Sequence, residues 1–273
     1  MKLNPASSLL LALLTATSAW AQVPLNQAGA LAGNVTPGDT PGFPITISQP
    51  GHYMLTSNLS VPLGAGGIHI TAPNVVLDLN GYTLEGPVTC TQNANTLVVS
   101  CSQPADGTYT AVGIRAEFDA QPVVVRNGNV RGFASYGVYL PLPFYTMSEL
   151  TVTSNASHGA VLGGTSGQSG RVSRSTFTLN GSFGAYIKGG LVEHSVFSGN
   201  NSYGMSIVRT AVVHSTVGYN GTRGIQGDSN NPGAGVYGKP STVLGTTLIG
   251  NKLGATTGFL FSLGSNFDGA LVF

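Results

Sequence analysis

The sequence predicts an all-β fold, a parallel β-helix (a solenoid) with three short strands in each coil and capped ends. Three observations lead there. A glycine motif returns at near-constant intervals, apolar residues alternate after each glycine, and no stretch beyond residue 21 carries ten residues of helical periodicity. The motif reads Ser135-Tyr-Gly137, Ser157-His-Gly159, Ser182-Phe-Gly184, Ser202-Tyr-Gly204 and Thr222-Arg-Gly224, with weaker copies at Gly113 and Gly67. Clear copies lie twenty to twenty-five residues apart. A period of that length marks a stacked repeat.

The alternation within each copy defines the strands. A first run places Ile68 and Ile70, Ile114 and Ala116, Val138 and Leu140, Ala160 and Leu162, Ala185 and Ile187, and Met205 and Ile207 on one face. Period two is a strand with one buried side. A second run aligns Leu79, Val125, Met147, Val172, Val192 and Val212, and a third Leu84, Val130, Val152, Phe177, Phe197 and Val217. Coils stacked about 4.8 Å apart set like residues on like, as Phe177 on Phe197 and the serines Ser175, Ser195 and Ser215. The repeat count gives roughly eight to ten coils.

Two bends recur. Asn155, Asn180, Asn200 and Asn220 share one, where asparagine tolerates left-handed backbone and bonds to the next coil. The same four account for most of the six Asn-x-[Ser/Thr] segments. The other bend reads Asn127, Glu149, Arg174, His194, His214 and points outward. Its two histidines suggest either a polar ladder or a metal pair without a third ligand.

The ends differ from the middle. Residues 1–21 join Lys2, an apolar run from Leu9 to Leu14 and a small-residue cleavage pattern at Ala19-Trp20-Ala21, which reads as a signal peptide for export to the periplasm or beyond. That run is too short to span a bilayer. Residues 22–66 form an N-terminal cap region rich in Pro-Gly turns, and residues 67–273 the β-helix, closed by the apolar tail GFLFSLGSNFDGALVF, all in one domain. Segments 86–107 and 227–240 read as insertions. The first holds the only cysteines, Cys90 and Cys101, which in an oxidising compartment form one disulfide worth roughly 2–3 kcal/mol, the alternative being two free thiols. With 8% charged residues and a net charge of +1, the chain lacks the basic footprint of a nucleic-acid or anionic-membrane binder.

The segments ITISQPGHYMLTSNLSV, ITAPNVVLDLNGYTLEG and VVVRNGNVRGFASYGV, with the coils after them, resemble the secreted bacterial right-handed parallel β-helix repeat proteins of the pectate-lyase-like superfamily. The resemblance covers nearly the whole mature chain and implies a right-handed solenoid. It also implies a polysaccharide partner, because the enzymes of that superfamily place their substrate groove along one outward strand face. Lyases, hydrolases, epimerases, tailspikes and noncatalytic surface proteins all belong to it, so activity must be argued from a site.

The outward position after each motif glycine reads His69, Arg115, Tyr139, Val161, Tyr186, Ser206, Gln226 down the stack, and two residues further on lie Glu117 and Lys188. A lyase acting on a uronate needs a cation for the carboxylate, a base for the C5 proton and an acid for the leaving oxygen. Arg115 is the candidate cation, Tyr139 and His69 the candidate base and acid, and Lys188 positions substrate. Tyr186, Glu117 and His158 are candidate substrate-binding residues. The bland alternative is an ordinary strand surface, which favours the same residue types. Glu117 and Asp119 are the one carboxylate pair near the face. They make a weak case for hydrolysis or calcium, and no other cofactor is implied. A noncatalytic glycan-binding or structural rod remains the competing reading.

Overall fold

The computed structural model describes residues 22–105, 110–164, 170–227 and 241–253 in full, and the backbone of 256–257, 260–263 and 267–268. The signal segment and most of the insertion at 227–240 lie outside the described residues.

The chain winds into a parallel β-solenoid with three sheets, making about seven turns between Ile45 and Gly218. In the first sheet, strands Ile45–Ile47, Ile68–Ile70, Ile114–Ala116, Val138–Leu140 and Ala160–Leu162 pair in parallel. The ladder continues through the opening halves of Ala185–Glu193 and Met205–Val213 to Ile225–Gln226. The second sheet begins at Val23–Leu25 against Gly51–Leu55 and runs on through Val75–Asp78. The third begins at Leu59–Ser60 against Thr83–Glu85. At the far end, Leu260–Leu263 and Phe267–Asp268 pair in parallel with Ser241–Leu244 and Thr247–Ile249, so the apolar tail adds strands to the stack.

One apolar core runs from Leu25 to Leu248. Inward residues stack on their own kind as the alternation predicts: the Phe177 and Phe197 rings lie 4.7 Å apart and 4° from parallel. One register differs from expectation. Leu77, not Leu79, pairs with Val125, because four residues separate Asp78 from Thr83 where only two separate Arg126 from Asn129. Leu79 instead fills the longer bend, and Gly128 makes room for it: a Cβ there would lie 2.4 Å from that of Leu79.

The asparagine bend bonds from coil to coil as the sequence reading has it, but its backbone differs. The left-handed residues are the ones just before, Ser154, Leu179, Gly199, Tyr219 and Gly250. The asparagines themselves point inward, and Asn155, Asn180, Asn200 and Asn220 are fully buried. Each Nδ2 donates to the Oδ1 of the next, Asn155 to Asn180 to Asn200 to Asn220 to Asn251, at 2.8–3.1 Å. Each Oδ1 also accepts the backbone N–H of the preceding asparagine, so the ladder satisfies main-chain donors that the bend would otherwise strand. At the other bend, Asn127, Glu149, Arg174, His194 and His214 are themselves left-handed, with φ between 45° and 59°. His194 and His214 are exposed with rings 5.5 Å apart, and Arg174 pairs with Glu149 at 2.7 Å.

The N-terminal end is closed by side chains acting on edge strands, whose unpaired backbone would otherwise recruit other chains. A six-residue helix, Gln27–Ala32, too short for the sequence pattern to reveal, is capped by Asn26 and buries Ala30 in the core. The Gln27 amide bonds both the carbonyl and the N–H of Ser60 on the first strand of the third sheet. Asp39 accepts the N–H of Thr46, while Thr36 donates to the Thr46 carbonyl and accepts the Ser48 N–H, covering the first strand of the first sheet.

The first insertion is an antiparallel hairpin, Cys90–Gln92 with Val99–Cys101, closed by the Cys90–Cys101 disulfide. It lies along the asparagine bend and spans several turns. Val99 donates to Asn201, Gln92 donates to the Tyr219 carbonyl, and Val88, Cys90 and Val99 pack on Ala134 and Ala156 in a second small core. The position after each ladder asparagine is small or polar (Ala156, Gly181, Asn201, Gly221), and that stripe is where the hairpin sits. A Cβ on Gly181 would lie 3.2 Å from Cys101 Sγ.

Candidate functional site

The outward column of the first sheet is held in register by backbone pairing. Thr46, His69, Arg115, Tyr139, Val161, Tyr186, Ser206 and Gln226 follow one another from turn to turn. Alternation makes this inevitable, since each sits between two buried apolar residues of its strand.

At one end of the column three side chains converge. His69 Nε2 lies 2.7 Å from Glu117 Oε1, and Arg115 Nη2 donates to the same oxygen at 2.9 Å. Glu117 is fixed because its N–H donates to the Ile70 carbonyl and its own carbonyl accepts the Ala120 N–H. An ionised carboxylate only accepts, so Nε2 is the donor in this pair. Arg115 Nε is buried without a hydrogen-bond partner. Glu117 is therefore spoken for by two neighbours, which leaves it a poor half of a hydrolytic pair with Asp119. Among the described residues, no three His, Cys, Asp or Glu side chains come together as a metal-ligand set.

Further along, Tyr139 is next to Arg115 in the stack, and its ring packs on Tyr136 at 5.9 Å. Val161 interrupts the polar run. Tyr186 and Lys188 then share a strand, with the ammonium 5.2 Å from the Tyr186 ring centre. Three strand spacings separate Arg115 from Tyr186, about 14 Å at the usual spacing. The structure brings His69, Arg115 and Glu117 into contact, but only an extended polymer would touch both them and Lys188.

His158 belongs to a second column, the residue just before each motif glycine, which sequence reasoning noted only in part. Tyr136, His158, Phe183 and Tyr203 stack edge to edge of the turns, with ring centres 5.4, 4.6 and 5.3 Å apart. Both faces of the imidazole are covered, Nδ1 accepts the Phe183 N–H at 3.4 Å, and burial pushes its pKa down from 6.5 to about 4. His158 is neutral at physiological pH and offers only an edge to a ligand. The signal was in the repeat: a large residue precedes the glycine in each of these turns.

Beside His69 and Arg115 the surface opens into a pocket of about 540 Å³, bounded by Phe43, Pro44, Leu63 and Ala65. That volume lies within the usual range of small-molecule sites. The hydrophobic wall comes from loops before the first and second turns, which the strand pattern does not describe.

No family model matches the chain, and no curated protein matches it. Among solved structures, the Dettilon tailspike protein is similar over 76% of this chain, with a TM-score of 0.50 and 18% identity. Tailspike protein 2 of bacteriophage CBA120, in its enzymatically active domain, is similar over 82% of the chain, with a TM-score of 0.47 and 13% identity. The chain spans about two-fifths of the length of each, 41% and 40%. Identities this low speak for the fold alone: the chain is a parallel β-solenoid resembling a phage tailspike domain.

Proposed function

We propose that the protein is exported and acts on an acidic polysaccharide lying along the outward face of the first sheet, as a lyase-type enzyme. The observation that carries this reading is the convergence of His69, Arg115 and Glu117 beside a pocket, with Tyr139, Tyr186 and Lys188 following on the same face. Arg115 neutralises the uronate carboxylate, which makes the C5 proton acidic. His69, oriented by Glu117, takes that proton on Nδ1. The C5–H electrons form the C4–C5 double bond, the C4–O bond breaks, and the Tyr139 hydroxyl protonates the leaving oxygen. Lys188 and Tyr186 hold the polymer further along. The resemblance to pectate-lyase-like proteins and the leader sequence support the substrate class and the compartment.

The test follows unsaturated-uronate absorbance and reducing ends together, using the mature protein with a panel of acidic and neutral polysaccharides. Absorbance that rises with an acidic polymer and is lost in Arg115→Ala and Tyr139→Phe is the expected result. Reducing ends without absorbance would replace elimination by hydrolysis.

A second reading, a noncatalytic glycan-binding or structural rod, is favoured by two observations. Glu117 already offsets the positive charge at the site, and the rings of the neighbouring column spend their faces on each other. Silence in both channels from a folded protein selects this reading.

A further inference from the structure

The aromatic column before the motif glycines starts only at Tyr136. In register, it reads Gly66, Val112, Tyr136, His158, Phe183, Tyr203, and Phe43 lies beside its ringless end. Two successive turns carry no ring, and both residues there line the pocket beside Arg115, as does Phe43. A Cβ on Gly66 would lie 2.8 Å from the Thr110 carbonyl, so the backbone of the next turn bars any side chain there, and the pocket opens beside it. The two turns before Tyr136 therefore lack a ring where every later turn through Tyr203 has one.

The chemistry of the gap is mixed. Phe43, Leu63 and Ala65 present apolar surface, and Leu63 is 57% exposed although nothing polar requires it there. Arg115 supplies the charge. Glu117 takes one of its five N–H donors, and its Nε–H is buried without a partner. An unpaired buried donor is costly, and a small turn of the guanidinium toward an anion relieves it. A ring with an apolar face and one carboxylate matches all of this: the ring takes the place of the missing aromatics, and the carboxylate meets Arg115.

We infer that this pocket is a subsite for a single acidic sugar residue at the end of a glycan chain, its ring against Phe43 and Leu63 and its carboxylate on Arg115. The inference rests on the acidic-polysaccharide reading above and adds where the chain end sits. It makes the face directional, with the free end lodged at the N-terminal turns and the rest of the polymer running past Tyr139 toward Lys188.

The test uses the mature protein with D-galacturonate and D-glucuronate as monosaccharides and short oligomers, and galactose and glucose as neutral counterparts. Binding is read by saturation-transfer NMR and titration calorimetry. The acidic monosaccharide is expected to bind, to weaken at least ten-fold in Arg115→Gln, and to be excluded by Ala65→Trp, which fills the pocket. Leu63→Ser, at an exposed position that leaves folding intact, is expected to weaken it several-fold, and circular dichroism checks each variant. Equal binding in Ala65→Trp and Leu63→Ser, or equal binding of neutral and acidic sugars, would overturn the subsite. If oligomers lose binding in Tyr186→Ala and Lys188→Ala yet ignore Ala65→Trp, the outward face survives and the pocket does not. If no acidic sugar of any length binds, both readings fall.

Discussion

His158 gives the sharpest handle on the stability of the solenoid. Its ring is sandwiched between Tyr136 and Phe183, and its burial lowers its pKa from 6.5 to about 4. The folded state thus prefers the neutral ring, while the unfolded chain takes up a proton near 6.5. The stabilisation is complete above that pH and is lost as pH falls from 6.5 toward 4. At about 1.4 kcal/mol per pH unit, lowering pH from 7.5 to 4.5 removes about 2.5 kcal/mol. His158→Phe keeps a ring in the stack and cannot titrate, so its stability should decline less over the same interval by that amount. Urea unfolding of both proteins, followed by circular dichroism at several pH values, measures the difference. The rest of the chain is identical in the two proteins, so its contributions cancel. Parallel pH profiles would refute the reasoning, because they would mean that the imidazole is as free to charge in the folded state as in the unfolded one.

Other outcomes follow from the stacks and the hairpin. Asn200→Ala strands the buried N–H and one Nδ2–H of Asn180 and removes a donor from the carbonyl of Phe177, and should cost about 3–5 kcal/mol in the same urea assay, the sum of three unmet buried bonds. Phe177→Ala removes a ring from the third-sheet stack and should cost about 3–5 kcal/mol, with Phe177→Leu well below that. Replacing Cys90 and Cys101 together by serine should lower stability by roughly 2–3 kcal/mol and expose residues 93–98 to limited proteolysis, while strand content by circular dichroism is kept.

The legible part of the fold is the part that obeys the period. The first and third sheets follow from alternation, because every buried residue of one turn meets its counterpart in the next, as Val152, Phe177 and Phe197 do. The second sheet misleads at Leu79, since a bend two residues longer than its neighbours shifts the count without breaking the alternation. At the asparagine bend the expected bond to the next coil is present, while the left-handed backbone falls on the residue before. Asparagine suits both left-handed backbone and a buried amide ladder, and only geometry separates the two. The helix at Gln27–Ala32 is too short to generate periodicity and depends on its contacts with Ser60 and the core. At the site, alternation placed His69, Arg115, Tyr139 and Tyr186 on one face. It could not show that Glu117, two residues from Arg115 on its own turn, also reaches across to His69, because side-chain reach between turns is no property of a single strand.

A repeat explains its own residues so well that the exceptions carry the information. Phe177 beneath Phe197, Asn180 bonded to Asn200 and Ser195 bonded to Ser215 need no ligand to account for them. Gly66 is accounted for by the close Thr110 carbonyl, but the pocket it lines, next to an arginine with an unpaired donor, is not explained by the repeat. The hairpin inserted at 86–107 leaves the chain between those same two turns, yet it docks on the asparagine bend and packs against Ala156 and Asn201. Its place is thus set by the solenoid itself, and it leaves the outward face of His69 and Arg115 uncovered by its strands. One break in the repeat is filled by the chain's own hairpin. The pocket beside the cluster of charged groups stays open, and a ligand is the simplest thing to fill it.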